Sequence, residues 1–156
     1  MTVGQLAEKL RPYLPDGVEL YVAELIARYR VNFKITKPRD SVYGDYMSPG
    51  NGHGHIITIN GNQNKYAFFV TVLHEFAHLF TWEKYKNNVK PHGAEWKEEF
   101  RNILTPFIKQ GVFPPGLVTA IKKYTENPAA STCSDEDLLV ELKNYDRKRK
   151  PLLKEL

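Results

Sequence analysis

The stretch Asn64 to Tyr85, NKYAFFVTVLHEFAHLFTWEKY, decides how the rest of the chain is read. As a helix it spans about 33 Å at 1.5 Å per residue. Its middle, AFFVTVLHEFAHLFTW, is apolar on nearly every face, which predicts a long helix buried inside the fold. Set into that run are His74, Glu75 and His78, an HExxH motif. Residues four apart sit one turn apart on the same helix face. Two imidazoles so placed can both reach one zinc ion at about 2.0–2.1 Å. Glu75, next to the first ligand, can lean toward a water whose pKa the zinc lowers to near 7, and take its proton as general base. With five His and twelve Glu in the chain, shuffling would produce this motif only about 0.01 times. Burying three such groups without partners is costly, and a metal supplies the partner.

A catalytic zinc needs a third protein ligand and an open position. His92, fourteen residues after His78, is the first candidate, and Gly93 behind it lets the chain turn into the next helix. A glutamate on that next helix is the alternative. Glu98 lies twenty residues after His78, with Glu95 and Glu99 nearby. Trp96, Phe100 and Ile103 define the inward face, so Glu98 points off it and Glu99 lies beside it. The metzincin spacing HExxHxxGxxH fails, Lys84 standing where its last histidine should be. A deformylase-type site needs an upstream cysteine ligand, and the single cysteine, Cys133, lies downstream.

Ahead of the long helix the chain reads helix, helix, strands. Thr2 caps a helix over Val3 to Tyr13, which Pro15-Asp16-Gly17 ends. A second helix runs from about Val18 to Tyr29, with Leu20, Leu25, Ile26 and Tyr29 as its apolar stripe. Val31, Phe33 and Ile35 then alternate with polar residues as a half-buried strand. Ser41 to Met47 and His55 to Asn60 are two more strands, separated by the turn cluster Ser48 to Gly52. Short connections suggest a small, three-stranded, mostly antiparallel sheet. After the long helix come a helix from Gly93 to Leu104 that Pro106 bends or ends, one from Pro114-Pro115 to Tyr124, and one from Ser134 to about Tyr145. Arg147, Lys148, Arg149 and Lys150 form a basic run.

Composition bounds the function. At 156 residues, 42% hydrophobic and 26% charged, the chain is one ordinary domain with a short tail. Its longest unbroken apolar stretch, around Ala67 to Val70, gives no room for a transmembrane span. Glu8, Lys9 and Arg11 stand where a secretory signal needs apolar residues. One cysteine excludes an internal disulfide framework, a zinc ribbon and a CxxC pair, which favours a reducing, cytoplasmic setting.

HEFAHLFTW followed by the loop and HGAEW resembles the SprT-like (Spartan) metalloprotease family. His74, Glu75, His78, His92, Gly93 and Trp96 match its HExxH and HGxx-aromatic motifs, and the likeness extends from IITINGN to GVFPPGLVTAIKKY and STCSDEDLL, over most of residues 16 to 146. The resemblance implies an α+β, zincin-like (minigluzincin-like) domain over residues 1–146, with helices on a small sheet and one zinc ion held by His74, His78 and His92. It implies peptide-bond hydrolysis on a protein or peptide substrate. Eukaryotic members digest proteins crosslinked to DNA, so DNA-protein crosslink repair is the extended expectation. The zinc ribbon of many members is absent, and residues 147–156 remain as a basic tail.

Secondary features complete the set of candidates. Tyr43 and Tyr46, on an edge strand that could pair with extended substrate, are candidate oxyanion donors. His53 and His55, two apart, share a strand face; they read as turn and strand-start residues, with His55 a candidate substrate contact. Arg147 to Lys150 are candidate phosphate contacts, supported otherwise only by a net charge of +4. The rival reading is a zinc-stabilised module that binds nucleic acid or protein without hydrolysis. A third is a protease dormant until DNA triggers it.

Overall fold

The computed structural model describes residues 1–40, 42–126 and 141–146. Among the described residues, four further α-helices, a 3-10 turn and a three-stranded sheet accompany the HExxH helix, and local sequence explains where most of these elements begin and end.

Helix α1 (Val3–Leu10) opens with a reciprocal cap: Thr2 Oγ1 accepts from the Gln5 N–H at 3.0 Å, and Gln5 Oε1 accepts from the Thr2 N–H at 2.8 Å. It stops three residues short of the expected Tyr13. Pro12 has no N–H for a helical bond, and Arg11–Tyr13 tighten into a 3-10 turn. Helix α2 (Glu19–Arg28) turns inward the face of Leu25 and Ile26 that its sequence predicts, with Val22 in place of Leu20. Leu20 is 51% exposed, whereas Val22, Ala23, Leu25 and Ile26 are buried. Glu19 is buried with them, its carboxylate accepting from Arg11 Nη1 at 3.0 Å and from the Gly17 N–H at 2.7 Å, so the charge is partnered.

Strands β1 (Asn32–Thr36), β2 (Gly44–Met47) and β3 (Ile56–Asn60) form a sheet in the order β1-β3-β2. The sheet is mixed: β2 pairs antiparallel with β3, but β1 pairs parallel with it. The chain leaves β1, passes the middle position and returns through a hairpin, which leaves β1 and β3 pointing the same way. Asn51 (φ 48°) and Gly52 (φ 84°) carry that hairpin, both left-handed, a conformation that Gly adopts without a Cβ clash. Ser41 lies outside the described residues, and the strand begins at Gly44. The outer edge of β2 has no strand neighbour among the described residues.

Gly44 is where the sheet touches the central helix. A Cβ there would sit 2.7 Å from Thr71 Cγ2, 3.0 Å from the Thr58 carbonyl oxygen and 3.1 Å from Ile59 Cδ1. Only glycine lets the backbone approach so closely.

Helix α3 (Lys65–Tyr85) spans the expected stretch. Asn64 caps it, accepting from the Ala67 N–H at 2.9 Å. Phe68, Phe69, Val72, Leu73, Phe76, Ala77 and Leu79 are fully buried. The sheet, the 3-10 turn and helix α4 (Ala94–Lys109) all pack on α3. Pro106 does not end α4 at Leu104; it lies inside the helix, which runs on to Lys109. The carbonyl deprived of its donor belongs to the exposed Asn102, where water can serve it, and Phe107 beyond is anchored in the core.

Helix α5 (Pro115–Glu126) packs on α4. The expected last helix falls mostly on residues outside the described ones, as do Cys133 and the basic run at 147–150. Its end, residues 141–146, returns to the start of α3: Asn64 Nδ2 donates to the Leu142 carbonyl at 2.8 Å and to Asp146 Oδ1 at 2.6 Å. No helix among the described residues is long and apolar enough to cross a membrane.

Candidate metal centre

The helical spacing does what the sequence requires. His74 and His78 lie one turn apart on the cleft side of α3, ring centroids 5.1 Å apart. His92 comes from the loop between α3 and α4. That loop starts with a reversal at Lys86 (φ 56°) and ends where the Gly93 N–H donates to the Lys90 carbonyl at 3.2 Å. Gly93 has an ordinary negative φ, so sharp turning is not its reason. A Cβ at Gly93 would stand 3.3 Å from Lys90 Cβ, so the tight packing of the loop under His92 favours glycine.

The three histidines converge. Their ligand-capable atoms all lie within 4.8 Å of one another, and His78 Nε2 and His92 Nε2 are 3.1 Å apart. A tetrahedral zinc with bonds near 2.0–2.1 Å separates its ligand atoms by roughly 3.3–3.4 Å, so the cluster is close to the size required. Protonation fits as well. Burial, then the neighbouring His74 and His92, pushes the His78 pKa down to about 2. Burial, then His74 and Lys97, pushes that of His92 down to about 4. Both rings are therefore neutral at pH 7, the form that binds a metal. His74 Nδ1 lies 3.1 Å from Glu75 Oε2; a hydrogen bond there places the proton on Nδ1 and the lone pair on Nε2. Histidine donors of this number suit zinc.

Trp96 is the shared wall of the cluster. It is edge-on to His74 at 4.7 Å and to His92 at 4.8 Å, stacks on His78 at 5.3 Å, and donates from Nε1 to the His74 carbonyl at 3.3 Å. Phe100 stacks behind it at 5.2 Å. The glutamates weighed against His92 are elsewhere. Glu99 is buried but accepts from Lys84 Nζ at 2.6 Å, and Glu98 is exposed. Among the described residues the three histidines form the one group able to hold a metal.

The cleft extends to both sides of the triad. A cavity of about 480 Å³ reaches along α3 from His74 and Glu75 past Val70 to Tyr124, with Tyr43 and Gly44 on the opposite wall. A second, of about 320 Å³, lies between Tyr46, Trp82 and Lys90. The two share Asp45, Glu75, His78 and His92, so β2 runs beside the triad with space at both ends.

Tyr43 is 44% exposed, its carbonyl accepting from the Asn60 N–H at 2.9 Å. Tyr46 lies nearly parallel to His78, 8° between planes and 6.3 Å between centroids. Burial, then Glu83, raises its pKa well above the usual phenol range. His53 is a turn residue bridged to Gly50. His55 is buried, and its partners are Tyr46 and Glu83. Glu83 was given no role from the sequence, because the β2–β3 hairpin brings residues 46 and 55 together and only the packing of the sheet on α3 adds residue 83.

An α+β domain with paired histidines on a buried helix and a third on the following loop has the layout of a metalloprotease-type domain, whose triad could hold a metal ion. The SprT-like family model matches residues 23–115, which hold β1 to α4 and all three histidines, and the chain belongs to the SprT-like family. No curated protein and no solved structure matches the chain.

Proposed function

We propose that this chain is a zinc-dependent endopeptidase whose unit is residues 1–146, with 147–156 as a basic appendage. The observation that carries the reading is the convergence of three imidazoles beside Glu75 in a cleft bounded by a strand edge with no strand neighbour among the described residues. His74, His78 and His92 hold one zinc ion. When bound, it supplies a Lewis acid and brings the pKa of a water toward 7. Glu75 takes the proton of the attacking water and delivers it to the leaving amine. The β2 edge pairs with the extended substrate backbone and orients the scissile bond, a mode that reads little side-chain sequence. Trp96 and Phe100 close the rear of the site to solvent.

We extend the proposal to protein substrates held on DNA. Its supports are the family and the net charge of +4, with Lys86 and Lys90 lining the cleft beyond His92.

Glu75→Gln is the test. It should keep one zinc per chain by elemental analysis and lose peptide hydrolysis by at least about 100-fold. Cleavage retained in clean protein would sink the mechanism. Zinc bound but no hydrolysis of any peptide or DNA-bound protein by the wild type would favour the binding module. Hydrolysis appearing only with DNA would identify a triggered enzyme.

A further inference from the structure

Strand β2 is four residues long and has one strand neighbour among the described residues. So short an edge strand frays unless something else holds it. At its Gly44 end the hold is the close approach to Thr71. At the other end stands a chain of three polar side chains from three elements. Tyr46 Oη lies 2.7 Å from His55 Nδ1, and His55 Nε2 lies 2.9 Å from Glu83 Oε2. His55 is 6% exposed and packs edge-on against Trp82 at 5.6 Å. Glu83, in the last turn before α3 ends, is partly exposed.

The chemistry of these contacts has a direction. A carboxylate can only accept, so Glu83 takes the Nε2–H of His55. In the neutral ring that leaves Nδ1 as the acceptor, and the Tyr46 hydroxyl donates to it. The phenol's proton is thereby directed at His55 and away from the reacting atoms. Two bonds join the strand beside the cleft to the far end of the helix that carries His74, Glu75 and His78.

We propose that Glu83, His55 and Tyr46 form a positioning relay that pre-orders β2 for pairing with an extended peptide. The relay rests on the reading of the cleft as a peptide-binding site. Its contribution is to affinity: a strand already held in place loses less freedom when a peptide is added to it. Tyr46, His55 and Glu83 are positioning residues in this scheme.

Tyr46→Phe and Glu83→Ala, each separately and together, test it. Each single variant should raise KM by about 3- to 10-fold, the net effect of one or two hydrogen bonds, with kcat within about twofold. The double variant should be little worse than the poorer single one, although residues 46 and 83 do not bond to each other, because breaking either end releases the same strand. Zinc content should not change. In a Glu75→Gln background the same variants should weaken binding of a fluorescent peptide and speed amide exchange at Asp45 and Met47. A fall in kcat at unchanged KM would overturn the relay in favour of a phenol acting on the substrate, and additive effects or unchanged peptide affinity would also overturn it. A wild-type chain that hydrolyses nothing, yet binds peptide less tightly when the relay is cut, would end the endopeptidase reading and leave the relay standing.

Discussion

Gly44→Ala places one methyl group where the sheet meets the HExxH helix. In an open strand this exchange gains about 0.5–1 kcal/mol, because glycine is the poorer strand former. Here the added carbon would lie 2.7 Å from Thr71 Cγ2, 3.0 Å from the Thr58 carbonyl oxygen and 3.1 Å from Ile59 Cδ1. Carbon pairs are most stable near 3.5–4.0 Å, so the closest contact is short by roughly an ångström. The Thr58 contact is backbone of the paired strand and cannot rotate away. Overpacking costs about 1–3 kcal/mol, and contacts this short against backbone that cannot move belong to the upper half of that range, about 2–3 kcal/mol. After the intrinsic gain the net loss is about 1–2.5 kcal/mol. For a chain of this size that lowers Tm by about 2–10 °C in calorimetry of the metal-free protein. Thr71→Ser removes Cγ2 and keeps the hydroxyl, which donates at 2.8–2.9 Å to the Ala67 carbonyl and Gln63 Oε1. Added to Gly44→Ala it should recover part of the loss, with the Thr58 contact remaining. A Gly44→Ala protein as stable as the parent, or a pair of mutations that are simply additive, would refute close approach as the reason for glycine.

Two further outcomes are expected. His92→Ala should weaken zinc binding by more than about 100-fold, measured by competition with a chromophoric chelator, whereas Glu98→Ala should leave it unchanged; the reverse pattern would move the third ligand onto α4. Stability of the metal-free chain should depend on pH with a fixed sign. His78 and His92 titrate near 6.5 when unfolded but are held down to about 2 and about 4 when folded, so below pH 6.5 the unfolded chain binds more protons. The contribution of these groups is complete above pH 6.5 and is lost as pH falls, so Tm should drop between pH 7 and pH 5. A flat or opposite profile would contradict the neutral form of these rings in the folded chain.

The helix carrying the site was legible because its signals are local. Apolar residues on every face and a four-residue histidine spacing need no knowledge of the rest of the fold. The turn at Asn51-Gly52 was legible for the same reason. Leu20 misled because composition pointed it inward, whereas the inward face of α2 is set by where Val22 and Ile26 meet their neighbours. The parallel pairing of β1 with β3 was hidden because short connections suggest hairpins, and the strand order is a tertiary property. Glu99 looked like a ligand candidate by spacing, and Lys84, fifteen residues away, takes its carboxylate.

What stayed illegible is what holds the cleft open rather than what lines it. Trp96 could be assigned to the core from its helical spacing, but not to contact with all three histidines at once. That contact has a chemical consequence. An indole wall cannot ligate a metal and cannot charge the imidazoles. It supplies the burial that keeps His78 unprotonated, and its N–H fixes the backbone at His74. The cluster is therefore suited to a cation, because no charge on His78 or His92 at neutral pH competes for the space between the rings. Without a metal, His78 Nε2 and His92 Nε2, 3.1 Å apart, can share one N–H between two neutral rings. A divalent metal would replace that single hydrogen bond by drawing a lone pair from each of the three imidazoles whose ligand atoms lie within 4.8 Å, which is the exchange that distinguishes a metal centre from a histidine pair satisfied by itself.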